Sequence, residues 1–360
     1  MRIGYDLRIV RYPPGGTRRY AIEALRAMRA ARPPGDSIVA LSGWPRIPSS
    51  GPVPRPVRRP ANLAFDMAWL AGGLPASLAR HRVDGWYSPA VTMPLLVRHP
   101  SVVTIHDLNF IVRADDYDPG YVRFATRMVR SAAERAERIV TDSRFVREMV
   151  IKAFGVSPGR ILAIPAGIDH LDASSTDPDS WLPRPYALFV GQTEPHKNVG
   201  LLLDAWRAGV PPDLNLVIAG PPGRDEAALR HLAEHPALRD RVFFAGHLPT
   251  GRLRAAYRDA QLFVFPSLAE GFGFPPLEAM AMGIPTAVSS ATCLPEVTDG
   301  GALVFDPADA EGLARVVTRM SQDEGLRATL RVEGPAVAER YRWSTTADAI
   351  WEEIHHALRA

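Results

Sequence analysis

Cys293 is the only cysteine among 360 residues, so neither an intrachain disulfide nor a cysteine-based metal centre can form. Lysine is nearly absent, and arginine carries most of the positive charge. That bias reads as codon usage and excludes no function. No apolar run reaches the ~18–20 residues of a spanning helix. The stretch Leu63–Leu78 is broken by Asp66 and by paired glycines. The chain opens on Met-Arg-Ile-Gly-Tyr-Asp, without the apolar core of a signal peptide. A reducing, cytoplasmic setting is the expectation. The phosphate pattern G-x-x-x-x-G-K-[ST] and the dinucleotide pattern G-x-G-x-x-G are both missing. No Asp-x-Asp stands at a strand end, Asp177-Pro-Asp179 falls in a polar stretch, and His355-His356 diverge on a helix. No metal ligand set is therefore indicated. Basic residues do not interleave with aromatics, so nucleic acid is not an expected partner.

What is present is the composition of a soluble globular protein, 46% hydrophobic and 22% charged. Its length suits two domains, since single cores stop growing near ~250–300 residues. The net charge of +3 hides an asymmetry. Residues 1–175 hold 25 basic and 15 acidic residues, and the remainder holds 17 and 24. A basic first half suits an anionic acceptor or peripheral contact with a membrane surface. The alternative is that these arginines solvate helix faces and pair with the acidic half.

Short apolar strands alternate with helical stretches. In the first half the strands fall at Arg2–Asp6, Ser37–Leu41, Gly85–Tyr87, Ser101–Ile105, Arg138–Thr141 and Ile161–Ile164. In the second they fall at Tyr186–Val190, Asn215–Ala219, Val242–Ala245, Leu262–Phe265, Thr286–Val288 and Ala302–Phe305. The alternation predicts α/β architecture with parallel sheets covered on both faces. A polar, Asp/Ser/Pro-rich stretch at His170–Pro185 separates the two series and reads as a linker. The expected organisation is a first domain at 1–170, a linker at 171–185, a second domain at 186–340 and a terminal helix within 341–360.

The segment Glu270-Gly-Phe-Gly-Phe-Pro-Pro-Leu-Glu278 carries the most chemistry. Two carboxylates sit eight residues apart, the first in a glycine-rich loop after a strand. Pro275 and Pro276 suit the first turn of a helix. Unpaired N–H groups at such a helix start attract anions. Carboxylates beside an anion site fit a ligand that also carries hydroxyls, as a sugar nucleotide does. The plain alternative is a tight turn with two solvated acids.

Extended to Phe265-Pro-Ser-Leu-Ala-Glu270 and Glu278-Ala-Met-Ala-Met-Gly-Ile-Pro285, this segment resembles the E-x7-E signature of retaining family-4 glycosyltransferases, in particular bacterial group 1 enzymes of mannosyltransferase type. Val190-Gly-Gln-Thr-Glu-Pro-His-Lys-Asn198 is similar to that family's phosphate loop, and Val103-Thr-Ile-His-Asp107 to its His-Asp loop. Thr141-Asp-Ser-Arg-Phe145, Ile164-Pro-Ala-Gly-Ile-Asp169 and Leu294-Pro-Glu-Val297 follow in the family's order. The resemblance spans roughly residues 1–300. It implies the GT-B fold: two Rossmann-like domains facing each other across a cleft, with the terminal helix crossing back to the first.

The resemblance also implies the site. His106, Lys197 and Glu270 would be the catalytic residues. Gly16, Gln192, His196, Lys197, Gly271, Phe272, Gly273, Phe274 and Glu278 would bind the donor, Glu278 through the ribose hydroxyls. Asp107 would orient His106 or cap the following segment. Two departures stand out. Gln192 and His196 occupy positions where relatives carry arginine, which leaves Lys197 as the fixed cation of that loop. The implied reaction is transfer of a hexose, mannose-like, from a nucleotide sugar to a hydroxyl acceptor with retention. The acceptor is a glycan, a glycolipid or a secondary metabolite, anionic or lipid-linked in type. No cofactor or metal is implied. GDP-mannose is favoured over UDP-glucose, UDP-N-acetylglucosamine and dTDP-deoxysugars. A nucleotide-sugar epimerase of the same fold and a catalytically silent glycan-binding subunit are the alternatives.

Overall fold

The structure is a computed structural model that describes residues 1–12, 15–43, 55–91, 93, 99–170 and 181–359, with 55–60 described by backbone alone. Pro13, Pro14 and positions 171–180 of the expected linker, Asp177 and Asp179 among them, lie outside the described residues. The chain divides into two compact units. Unit 1 comprises Met1–Ile111, Asp118–Gly167 and Arg342–Ala360. Unit 2 comprises Val112–Tyr117 and Ile168–Tyr341.

Unit 1 is built on a six-stranded sheet in the order β2-β1-β3-β4-β5-β6. Its strands are β1 (Arg2–Asp6), β2 (Ser37–Leu41), β3 (Gly85–Ser88), β4 (Ser101–Ile105), β5 (Arg138–Thr141) and β6 (Ile161–Ala163), all parallel. Unit 2 carries a second six-stranded parallel sheet, in the order β12-β11-β10-β7-β8-β9. Its strands are β7 (Tyr186–Val190), β8 (Asn215–Ala219), β9 (Val242–Gly246), β10 (Leu262–Phe265), β11 (Thr286–Ser289) and β12 (Leu303–Phe305). Each strand lies where the apolar runs placed it, to within a residue at either end. The central strands β3, β4 and β10 are buried along their whole length. Helices on both faces demand this, and it is why these strands read as continuous apolar runs.

The core of unit 1 contains three tyrosines with no exposed surface, Tyr5, Tyr20 and Tyr87. A buried hydroxyl without a partner is costly. Tyr5 donates to the Ala21 carbonyl at 2.7 Å, and Tyr20, Tyr87 and Thr104 form a hydroxyl chain at 3.1 and 2.9 Å. The terminal helix Trp343–Arg359 belongs to this unit and packs on the helix Gly16–Ala30. Trp351 donates its indole N–H to the Met28 carbonyl at 3.0 Å, and Arg138 pairs with buried Glu353 at 2.5 Å. The glycines that interrupt Leu63–Leu78 end a π-helical turn, Trp69–Gly73, between the helices Arg55–Ala68 and Leu74–His81. Among the described residues no helix is long and apolar enough to cross a membrane.

Strand order sets the place for a ligand. In unit 2, β7, β8 and β9 run outward in one direction and β10, β11 and β12 in the other. The order reverses between β7 and β10. Open α/β sheets bind ligands beyond the carboxyl ends of the strands at such a reversal. Lys197 follows β7 and Glu270 follows β10.

Candidate functional site

The loop after β7 is fixed by its neighbours. Gly220, φ +146, stands so close to this turn that a Cβ there would lie 2.0 Å from the Gly191 carbonyl oxygen, which only glycine avoids. Buried Thr193 donates its hydroxyl to Glu226 at 2.8 Å and accepts the Gly223 N–H at 2.7 Å. Exposed Gln192 donates to the Pro222 carbonyl at 3.2 Å, and Glu194 pairs with Arg224 at 2.7 Å. A single 3-10 turn, Pro195–Lys197, then leads into the helix Val199–Ala208.

This loop is laced to the one after β10. The His196 carbonyl accepts from Leu268 N–H at 2.7 Å and from the Ser267 hydroxyl at 3.0 Å. The Asn198 amide donates to the Pro266 carbonyl at 3.2 Å and to the Pro307 carbonyl at 2.9 Å. Lys197 Nζ lies 2.5 Å from Glu270 Oε1 and 5.3 Å from the centre of the Phe265 ring. Both partners keep some contact with solvent, 17% and 11% of the side chain. Glu270 is itself anchored: its N–H donates to Thr292 Oγ1 at 3.0 Å, and its carbonyl accepts from Cys293 Sγ at 3.3 Å.

Gly273 has φ +92 and precedes the helix Phe274–Ala281. A Cβ there would fall 2.9 Å from Leu294 Cδ2. Phe272 is buried, edge-on to Phe274 and Tyr341 at 5.2 and 5.6 Å, so its ring serves packing, and the flanking Gly271 and Gly273 are buried with it. Glu278, on that helix, is 1% exposed. Its Oε2 accepts from the Tyr257 hydroxyl at 3.0 Å, and its Oε1 lies 3.2 Å from His170 Nε2. Sequence reasoning missed Tyr257 and His170. One closes a helix before a strand and the other follows the Ile164–Asp169 motif, so neither carries a local signal.

His196 is half-buried, and its Nδ1 has no hydrogen-bond partner among the described residues. Burial, and then the charge of Lys197, hold its pKa below the ordinary imidazole value. It adds no cation at neutral pH.

Unit 1 holds His106 after β4, and Gly16 at the exposed start of the helix Gly16–Ala30. Nδ1 of His106 lies 2.6 Å from Asp142 Oδ2, and Nε2 lies 2.7 Å from the Pro89 carbonyl oxygen. Both neighbours are acceptors, so the geometry calls for a proton on each ring nitrogen. Burial pulls its pKa down, but the Asp142 carboxylate and the Pro89 carbonyl outweigh burial and the value is raised. Asp107 instead accepts the Asn109 N–H at 3.0 Å and caps the next segment. The orienting carboxylate is Asp142, from the Thr141-Asp-Ser motif.

Among the described residues no group of three His, Cys, Asp or Glu could hold a metal ion. An open groove of about 700 Å³ lies elsewhere in unit 2, between Ala208 and the helix Ala310–Gln322, and none of the residues above line it.

Two parallel six-stranded α/β sheets, the second with a cation and carboxylates at its strand-order reversal, define a two-unit α/β protein. Residues 14–170 match the family described as Glycosyltransferase Family 4, and residues 177–336 match Glycosyl transferases group 1. The chain is 30% identical over 258 residues to O-antigen chain mannosyltransferase B of Escherichia coli, covering 68% of this chain and 67% of that protein. It is 31% identical over 277 residues to the serotype-specific mannosyltransferase WbdA of Escherichia coli, covering 72% of this chain and 34% of that protein, about a third of its length. Among solved structures, sucrose-phosphate synthase from Thermosynechococcus elongatus superposes with a TM-score of 0.75 at 20% identity, over 98% of this chain and 97% of that one. The chain belongs to the group 1, family-4 glycosyltransferases, and its fold is the GT-B fold expected from the motifs.

Proposed function

We propose that the chain transfers a hexose, mannose first, from a nucleoside diphosphate donor to a hydroxyl acceptor with retention of configuration, and that GDP-mannose is the favoured donor. The observation that carries this is the Lys197–Glu270 pair at the β7/β10 reversal, beside the start of the helix Phe274–Ala281. Cleaving the glycosyl–phosphate bond builds negative charge on the leaving diphosphate. Lys197, the N–H groups of Phe274 and Leu277, and the positive end of the helix stabilise that charge, Pro275 and Pro276 having no N–H to give. Gly271–Gly273 let the backbone approach the sugar and phosphate, and Glu278 takes the ribose hydroxyls. Glu270 orients the sugar and Lys197 and acts as neither acid nor base. The leaving phosphate oxygen removes the acceptor proton on the face it vacates, which retains configuration. Mannose is favoured because the chain is similar to O-antigen mannosyltransferases at about 30% identity. The basic excess of residues 1–175 suits an anionic or lipid-linked acceptor.

Saturation-transfer NMR with a panel of nucleotide sugars identifies the donor, and the anomeric coupling of fresh product gives the stereochemistry. An α-linked donor should yield an α-linked product. A β-linked product would overturn retention and the roles assigned to both glutamates.

A further inference from the structure

Among the described residues, four other than glycine take a positive φ, and one of them is β-branched: Thr292, at φ +54. A β-branched side chain crowds its own backbone there, so the conformation persists only where the surroundings enforce it. Thr292 stands in the turn that follows β11. The Leu294 N–H closes this turn on the Ala291 carbonyl at 3.3 Å, and Cys293 follows Thr292 at φ −82, ψ −8. Where the second position of a turn alone has positive φ, the residue is ordinarily glycine, asparagine or aspartate. Here it carries a hydroxyl, and the hydroxyl is used. Thr292 Oγ1 accepts the Glu270 N–H at 3.0 Å, across 22 residues. In the sheet β10 lies between β11 and β7, and its loop is held from both flanks. On the β7 flank the His196 carbonyl accepts from Leu268 and Ser267. On the β11 flank Ser289 donates its hydroxyl to the Ser267 carbonyl at 2.5 Å, and Thr292 receives Glu270.

We propose that Thr292 is a positioning residue for Glu270: its hydroxyl sets where the Glu270 carboxylate stands, and through that where Lys197 is held. This rests on Glu270 and Lys197 acting at the sugar–diphosphate bond. Glycine would relieve the turn but offer no acceptor. Without the hydroxyl the Glu270 N–H loses its partner and the loop relaxes on the β11 flank. The carboxylate and the ammonium paired with it at 2.5 Å then shift together. A displacement of about 1 Å at reacting groups costs up to ~10²-fold in rate.

The test sets the hydroxyl against the strain in four full-length chains: the parent, Thr292→Ser, Thr292→Val and Thr292→Gly. The serine variant keeps the acceptor. The valine variant keeps the β-branched shape without it. The glycine variant lacks both acceptor and strain. Three quantities are read: amide exchange at Glu270 by NMR, referred to Val264 of the buried strand β10; the thermal midpoint; and single-turnover cleavage of GDP-mannose with water as acceptor. Exchange at Glu270 should rise about tenfold or more in the valine and glycine variants and stay within about twofold in the serine variant. The rate should fall roughly tenfold to hundredfold in the valine and glycine variants and stay within about twofold in the serine variant. The midpoint should sort differently, glycine above valine, because glycine sheds the strain that valine keeps. A rate that follows the midpoint rather than the hydroxyl makes Thr292 a purely structural residue and overturns the proposal. A Glu270 amide that exchanges alike in all four chains does the same. Glu270→Ala keeps the two claims apart. If it retains the parent rate, Glu270 is not at the reacting bond and the functional reading fails. If it loses the rate while Thr292→Val and Thr292→Gly keep it, that reading stands and the positioning role falls. A parent that cleaves no GDP-mannose refutes that donor, and exchange at Glu270 then decides the role of Thr292.

Discussion

Lys197→Ala separates chemistry from scaffold. The side chain makes a 2.5 Å ion pair with Glu270 and stands 5.3 Å from the Phe265 ring. Breaking a fully buried pair by removing one partner costs about 3–5 kcal/mol. Here both side chains keep some solvent contact, 17% and 11%, so water re-solvates the orphaned carboxylate in part. The stability loss should be smaller, about 1–2 kcal/mol, and the midpoint should fall by a few degrees. The catalytic loss should be larger. A group aimed at charge developing in the transition state contributes roughly 10²–10³ in rate, about 2.7–4 kcal/mol. The assay is single-turnover transfer from the donor found by NMR, beside thermal unfolding of the same preparation. Lys197→Ala should lose about a hundredfold in rate. Adding Glu270→Gln removes the orphaned charge and should restore the midpoint without restoring the rate. An unchanged rate in the single variant, or a rate recovered in the double variant, would show that Lys197 serves only to neutralise Glu270.

Glu278→Ala should weaken nucleoside diphosphate binding by roughly tenfold or more, about 1.5–3 kcal/mol; equal calorimetric affinity in mutant and parent would sink the ribose assignment. His196 has a folded pKa depressed by burial and Lys197, so its contribution to stability is present above the unfolded value near ~6.5 and lost as pH falls. His196→Arg forces a charge into that place and should lower the midpoint at pH 7.5 while flattening its loss on acidification; a midpoint unchanged at both pH values would refute this placement. His106 behaves oppositely. Its folded pKa is raised, so its contribution is complete below ~6.5 and lost as pH rises through the folded value. Nitrogen-15 NMR should find its ring protonated above pH 7 in the parent and neutral there in Asp142→Asn; a parent ring that titrates at the ordinary value would contradict the raised pKa.

How much was legible follows from the range of each interaction. Strands such as β4 and β10 are buried on both faces, so their apolar runs mark them within a few residues of sequence. The turn at Gly273 and the prolines after it are likewise local: a positive φ and a helix first turn each restrict the residue type at one position. The family motifs span a few residues each, and the chain's membership could be read from them. The environment of each site residue could not. Asp142, not adjacent Asp107, meets His106 because β5 lies beside β4 in the sheet. Tyr257 and His170 reach Glu278 from 21 and 108 residues away. Lys197 meets Glu270 across 73 residues because β7 and β10 are neighbours at the point where strand order reverses. Residue type and spacing determine which groups the chain can offer. Strand order and burial decide which of them touch, and so which way each histidine's pKa moves, because a pKa responds to neighbours in space that chain position does not reveal.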